Sequence, residues 1–502
     1  MAHRALILPV VYDYYVLLMS IIYMETYRCQ HGFAQASCYA GATGPELREA
    51  EDKALKSRVD YAADWMVRPG KMPIAARHVD YTCTSGNDVK LQDSFEARRS
   101  IRDAISTSKP GDVVSIVLHD WQISESGGLS TDILNAVCDA QGRGVETHVR
   151  LCAWGTHANA WGGSIPSLIM WGMPGWNAFK HVPAAVKLSA AGCDVSVIRG
   201  GYTLAKGFPW IPLPTAEHCK MFSIFSESDQ TLHAWAGGMN LSDGEEYNID
   251  TMVKLHGPAA VDTHVQVLLA LRHGSRSNAL TKLPKDAALE HYFPRDLTFR
   301  PGEYAARAHL TIPGARHPTD LYNSYFREAQ LLKPDERCWI TTPYASLRRL
   351  VALAHLAVTK DADFRFASTH LHAQDHASAF FAMLQLVQQF PKEAKAVLSN
   401  RYSHRKAVII GDTWYVTSHN ADGLSLKASC EFGFMFQKMG EERDLELESL
   451  VELFIQDYWH KERDVHVHPH TSNAHETFVQ HHATWFSWVK RCFWGLMMRH
   501  VV

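Results

Sequence analysis

The chain is short of the features that mark several functional classes. Its ten cysteines are scattered, with no CxxC pair among them, which excludes a thiolate zinc site. It has no charge of one sign to spare. Fifty basic and 53 acidic side chains leave a net −3, so no strong field draws it to nucleic acid. No basic run interleaved with aromatics offers a nucleic-acid face either. What it holds in quantity is histidine, 29 in 502 residues, within a composition 46% hydrophobic. That is enough to bury a real core in a chain of about two to four domains.

Cys152, Cys193, Cys219, Cys338 and Cys430 lie in apolar, strand-like runs and read as buried free thiols of a reducing compartment. The N-terminus pulls the other way. Residues 5–24 are apolar except for Asp13 and Ser20, and Ala34-Gln35-Ala36 follows like a cleavage site. Residues 1–40 read as a signal peptide or membrane anchor, or else 5–24 form a helix buried on the body.

Residues 25–95 carry no clear pattern. From Phe95 onward helices alternate with strands. EARRSIRDAISTSKPGD is a helix ending at a Lys-Pro-Gly turn, DVVSIVLHDW a buried strand and STDILNAVCDAQGRGV an amphipathic helix. ETHVRLCAW and CDVSVIRG are further strands. Residues 274–318 mix Pro, Gly and charge without periodicity, like a linker. Then the same order returns, from DLYNSYFREAQLL through ERCWITTPY and DFRFAS to AKAVLS. This predicts an α/β protein made of a duplicated domain, spanning 95–275 and 319–462 with a linker at 276–318. A His-rich, amphipathic tail follows at 463–502.

Each half ends in one motif. His218 and Lys220 stand two apart, followed by an apolar run, a turn, and a strand closing on Gly237-Gly238-Met239-Asn240. His404 and Lys406 repeat this and close on Thr417-Ser418-His419-Asn420. On a strand, residues two apart share a face, so each half presents an imidazole, an ammonium and an amide together. Lys and Asn suit the non-bridging oxygens of a phosphate. A His can attack phosphorus or move a proton near neutral pH. Two such sets facing across a pseudo-twofold axis make one site, with one His as nucleophile and the other as acid.

HxK…GGxN and HxK…TSxN in two β/α halves resemble the phospholipase D superfamily, the HKD proteins, over roughly residues 95–462. The resemblance implies duplicated β/α sandwich domains with one active site at their interface. It implies a phosphohistidine on His218, with His404 protonating the leaving alcohol and then activating water or an incoming alcohol. No metal or cofactor is implied, because Lys220, Lys406, Asn240 and Asn420 neutralise the phosphate. Asp250, in NIDTMVKLH, and Glu431, in SCEFGFMF, match the carboxylates that orient the histidines, leaving open which serves which. Ser418 shares the face of Asn420. The chain departs from the family where an Asp follows the Lys at the fifth position. Phe225 and Gly411 stand there instead, with Asp229 and Asp412 later in the turns, and Gly238 replaces a Ser.

The superfamily spans lipases, phosphatidyl-transferring synthases, nucleases and inactive membrane proteins, and the motif does not separate them. The loop WGGSIPSLIMWGMPGWNAF at 161–179 is aromatic and apolar, suiting an acyl chain or a membrane interface, or else packing as local core. The segment 484–502 mixes Trp, Phe and Met with Lys490, Arg491 and Arg499, like an interfacial segment on anionic lipid, or else a terminal helix packed on the body. His466, His468, His470, His475, His481 and His482 read as a solvated tail. The expectation is a membrane-associated monomer acting on a phospholipid, with water or an alcohol as acceptor. A nuclease-type phosphodiesterase and an inactive membrane protein of the same fold are the alternatives.

Overall fold

A computed structural model describes residues 84–152, 182–198, 202–205, 208–214, 216–264, 267, 302–311, 321–345, 347–369, 378–399, 402–421, 425, 429–440, 442–459 and 465–467. The apolar segment 5–24, the aromatic loop 161–179 and the segment 484–502 lie outside the described residues.

The first half comprises β1 (Thr84–Asp93), α1 (Ser94–Ser106), β2 (Val113–Leu118), α2 (Leu129–Gly142), β3 (Glu146–Cys152), α3 (Pro183–Ala190), β4 (Asp194–Ile198), β5 (Met221–Ser226), β6 (Thr231–Gly237) and β7 (Thr251–His256). The second comprises β8 (Tyr304–Thr311), α4 (Leu321–Gln330), β9 (Arg337–Thr341), α5 (Leu347–Val358), β10 (Asp363–Ser368), α6 (Ser378–Gln389), β11 (Ala394–Leu398), β12 (Ala407–Ile410), β13 (Thr413–Thr417), β14 (Ser429–Lys438), α7 (Leu445–Tyr458) and β15 (Val465–Val467).

These strands join one continuous sheet. From the centre outward the first half runs β1-β7-β6-β5-β2-β3-β4, and the second runs β8-β14-β13-β12-β9-β10-β11-β15. The two orders match over seven strands, β15 being an extra edge strand of the second half, and β1 pairs antiparallel with β8 where they meet. The pseudo-twofold axis therefore passes between β1 and β8. The parallel pairs β2/β3/β4 and β9/β10/β11 use helical crossovers, as parallel strands require.

Two boundaries differ from the sequence reading. Residues 304–311 are not linker but the central strand of the second half, and the patternless 84–93 is its mate. Neither segment has the run of branched apolar residues that marks a buried strand. Each is strand because its backbone is paired on both sides, β1 by β7 and β8 by β14. In the tail, Val465–Val467 pairs with Ala394–Leu398 as an edge strand, so His466 lies opposite Val397 and not in a free tail.

Apolar side chains pack on both faces of the sheet. On β5, Phe222 and Ile224 face the cluster that holds α1, α2 and α3. Met221 and Phe225 face a central cluster shared by both halves. That central cluster runs from Val89 and Leu91 through Trp414, Phe432, Phe434 and Phe436 to Leu450 and Phe454 of α7.

Asn87 clasps the axis. Its fully buried amide donates to the Thr84 carbonyl at 2.9 Å and to the Tyr304 carbonyl at 3.1 Å, and its oxygen accepts from the Ala259 N–H at 2.6 Å. Asn87→Ala strands these buried groups and is expected to cost about 2–4 kcal/mol. Urea unfolding reads this directly. A loss below about 0.5 kcal/mol, the range of an ordinary surface change, would mean that the axis is held by strand pairing alone.

Candidate active site

Each HxK segment is fastened to the opposite half. Residues Ala216–Glu217 pair in parallel with Ser429 and Cys430, and the His218 N–H donates to the Cys430 carbonyl at 2.8 Å. Across the axis, Ile249 bridges Ser403, and the His404 N–H donates to the Ile249 carbonyl at 2.8 Å. The residues one step further on, Glu431 and Asp250, are thereby delivered to the imidazoles. His218 Nδ1 meets Glu431 Oε2 at 2.8 Å, and His404 Nδ1 meets Asp250 Oδ2 at 2.9 Å. The pairing left open by the sequence is crossed, each histidine taking its carboxylate from the other half.

The lysines are equally constrained. Lys220 Nζ donates to the His218 carbonyl and Lys406 Nζ to the His404 carbonyl, both at 2.7 Å. Lys406 also reaches His404 Nε2 at 3.0 Å. Ser418 Oγ donates to Glu431 Oε2 at 2.5 Å and accepts from the Phe432 N–H at 3.0 Å. Gly238 sits at the matching place in the first half. A Cβ there would stand 2.5 Å from Asp250 Oδ1. The Asp250 carboxylate fills that space, so this half has no room for a serine. Asn240 and Asn420 are buried, and their side-chain oxygens have no hydrogen-bond partner among the described residues.

Burial sets the electrostatics. It pushes Lys220 down to about 8 and Lys406 down to about 7, against the pull of Asp250 and Glu431. It pushes His404 down to about 4 and His218 well below the usual imidazole range, with Lys220, Lys406 and His404 adding to the shift in His218. Burial raises Glu431 to about 7. Both members of the His218–Glu431 pair are thus driven toward their neutral forms. Asp250 differs. Burial opposes its ionisation, yet the hydrogen bond and charge of His404, with Lys406, hold its carboxyl below the ordinary value.

Of the nine residues singled out in the sequence, His218, Lys220, Ser418 and Glu431 are joined by direct contacts, as are His404, Lys406 and Asp250, and Asn420 borders a small cavity beside Lys406. Asp229 and Asp412 take no part in these contacts. Asp229 forms a surface ion pair with Lys109 at 3.0 Å, and Asp412 is exposed in its turn. Sequence reasoning missed two neighbours. Arg98, buried on α1, donates to the Asn240 carbonyl at 2.9 Å. It shares a helix face with Ile101 and Ile105, and a charge on an apolar face was a signal in plain view. His119, just past β2, stands edge-on to His218 with ring centroids 4.6 Å apart.

No protein-family model matches the chain, and no curated protein matches it in sequence. Solved structures do match in fold. Phosphatidylserine synthase of Haemophilus influenzae is similar over 82% of this chain and 95% of its own, with a TM-score of 0.54 and 11% identity. The yeast tyrosyl-DNA phosphodiesterase is similar over 71% of this chain and 91% of its own, with a TM-score of 0.42 and 11% identity. The fold is of the phospholipase D type. At these identities the likeness is one of fold.

Two outcomes follow from the geometry. Gly238→Ser should displace Asp250 from His404, and the downfield Nδ1 proton of His404 should vanish from the NMR spectrum. Its persistence would show that the carboxylate tolerates a Cβ. Sulfate keeps a constant charge between pH 6 and 9, so any change in its affinity over that range belongs to the protein. The lowered lysines are protonated below about 7 and 8 and neutral above. Affinity should fall as pH rises, by roughly 100- to 1,000-fold if both charges are needed. A flat calorimetric profile would remove the lysines as the anion's counter-charges.

Proposed function

We propose that the protein is a phospholipase D-type phosphodiesterase that hydrolyses phospholipids or transfers their phosphatidyl group to an alcohol at the surface of a membrane. The crossed carboxylate pairs carry this reading. They fix the proton of each imidazole on Nδ1, and so turn each Nε2 toward chemistry. His218 Nε2 attacks phosphorus, forming an N–P bond as the P–O bond to the head group breaks. His404 enters as the imidazolium, held by ionised Asp250 once the phosphate anion is bound, and gives its Nε2 proton to the departing oxygen. In the second step His404 takes a proton from water or alcohol, whose oxygen displaces His218 from phosphorus. Lys220, Lys406, Asn240 and Asn420 hold the non-bridging oxygens throughout.

The asymmetry of the pairs supports this division of roles. An ionised Asp250 stabilises the imidazolium that His404 must become, whereas a Glu431 near neutrality leaves His218 an uncharged nucleophile. A small cavity of about 20 Å³, about one water in size, begins at Lys406 and Asn420 and is walled by Leu321, Tyr325, Ile340, Leu350 and Leu353. That apolar wall beside the phosphate groups offers no counter-charge to a second phosphate, which supports lipid over nucleic acid. No helix among the described residues is long and apolar enough to cross a membrane.

The test is phosphatidylcholine vesicles with a primary alcohol present. Phosphatidic acid and phosphatidyl-alcohol should both form, and His218→Ala and His404→Ala should each abolish them. Lys220→Ala or Lys406→Ala should raise the barrier by about 2–4 kcal/mol, as for loss of an oxyanion donor. Near-normal turnover in either His variant would sink the two-histidine mechanism. Cleavage of a single-stranded oligonucleotide without lipid turnover would instead identify a nuclease.

A further inference from the structure

One pair of side chains at the site has no part in the chemistry above. Cys219 lies between His218 and Lys220, and Cys430 immediately precedes Glu431. Their sulfurs are 3.7 Å apart across the junction of the two halves. Cys219 is fully buried, while Cys430 is partly exposed. The fold does not demand this pair. The pseudo-symmetric positions hold Arg405, which is buried and ion-paired to Asp457 at 2.9 Å, and Ile249.

We propose that Cys219 and Cys430 are a redox modification site, closing to a disulfide that staples the halves together and switches the site off. The oxidant is a peroxide. The reachable Cys430 thiol attacks the peroxide O–O bond, becoming a sulfenic acid and releasing water. The Cys219 thiol then attacks that sulfur, forming the S–S bond and releasing a second water. Two thiols and one hydrogen peroxide thus give one disulfide and two waters. A disulfide needs its sulfurs at about 2.05 Å, so closure draws the two sulfurs, 3.7 Å apart, together by more than an ångström. His218 and Glu431 flank the moving sulfurs, and their 2.8 Å contact is what the movement disturbs. The inhibitory consequence rests on the function proposed above, but the cross-link itself does not.

The experiment treats the full-length protein with hydrogen peroxide and maps its peptides without reduction. A Cys219–Cys430 cross-linked peptide is expected. Sulfate affinity and lipid turnover should fall by about tenfold, the effect of leaving one buried polar group without its partner. Dithiothreitol should restore both. Cys219→Ala and Cys430→Ala, two independent variants, should keep basal sulfate affinity and be insensitive to peroxide. Absence of that peptide after Cys430 has been fully modified would overturn the proposal. So would a cross-link that leaves sulfate affinity unchanged. Should untreated protein turn over no lipid, the functional reading fails, while the peptide map and the sulfate measurement still decide the staple.

Discussion

The structure turns on an exchange. Each half lends a carboxylate to the histidine of the other, Glu431 to His218 and Asp250 to His404. A half alone would hold an imidazole with its tautomer unset and a carboxylate buried without a partner, a costly state on both counts. The remaining architecture serves to keep the two halves in register. β1 and β8 pair across the axis, Asn87 ties both to the helical residues 258–264, and the central core is continuous from one half to the other. Small bridges at Ile249–Ser403 and Ala216–Ser429 then bring each motif within one residue of the carboxylate it needs.

That register has an electrostatic consequence. Two lysines, two histidines and two carboxylates are buried together, and burial lowers the bases and raises Glu431. The site is poised where an incoming phosphate decides its protonation. Lys406 Nζ contacts His404 Nε2 at 3.0 Å, so on the proposed mechanism an anion that binds Lys406 also frees the nitrogen that protonates the leaving group. Such preorganised charge needs little rearrangement at the moment of reaction.

Much of this was legible in the sequence. The repeated HxK with its returning Asn, and the alternation of strand and helix around it, carried the duplicated α/β architecture and the histidines, lysines and carboxylates that meet in space. What stayed hidden depends on tertiary pairing. TSGNDVKLQD and YAARAHLT are strands because of their neighbours on the sheet and not by their own propensity. No local pattern in NIDT or SCEF says which histidine each carboxylate will meet, because the partner lies in the other half of the chain. The reason for Gly238 lies in tertiary contact, since a Cβ there would stand 2.5 Å from an Asp250 oxygen. Arg98 was the one omission that local pattern could have corrected.

The missing aspartates test whether the site is built to work. In the family they sit at the hairpin turn after each HxK strand. Here the turns are held by other means. Asp112, buried at the start of β2, accepts from the Glu227 N–H at 3.2 Å and from the Lys109 N–H at 2.8 Å, and Lys109 pairs with Asp229 across the turn. Phe225 joins the central core. In the second half Gly411 takes the left-handed conformation, φ +59°, that turns the chain, and its N–H donates to the Arg337 carbonyl at 2.8 Å, a conformation glycine adopts at least cost. The departures from the motif fall on the hairpin turns, which other groups hold, while both crossed pairs, both lysines and both asparagines are present. A buried charge is costly when its partner is removed, so the crossed pairs constrain the site more tightly than the turns do.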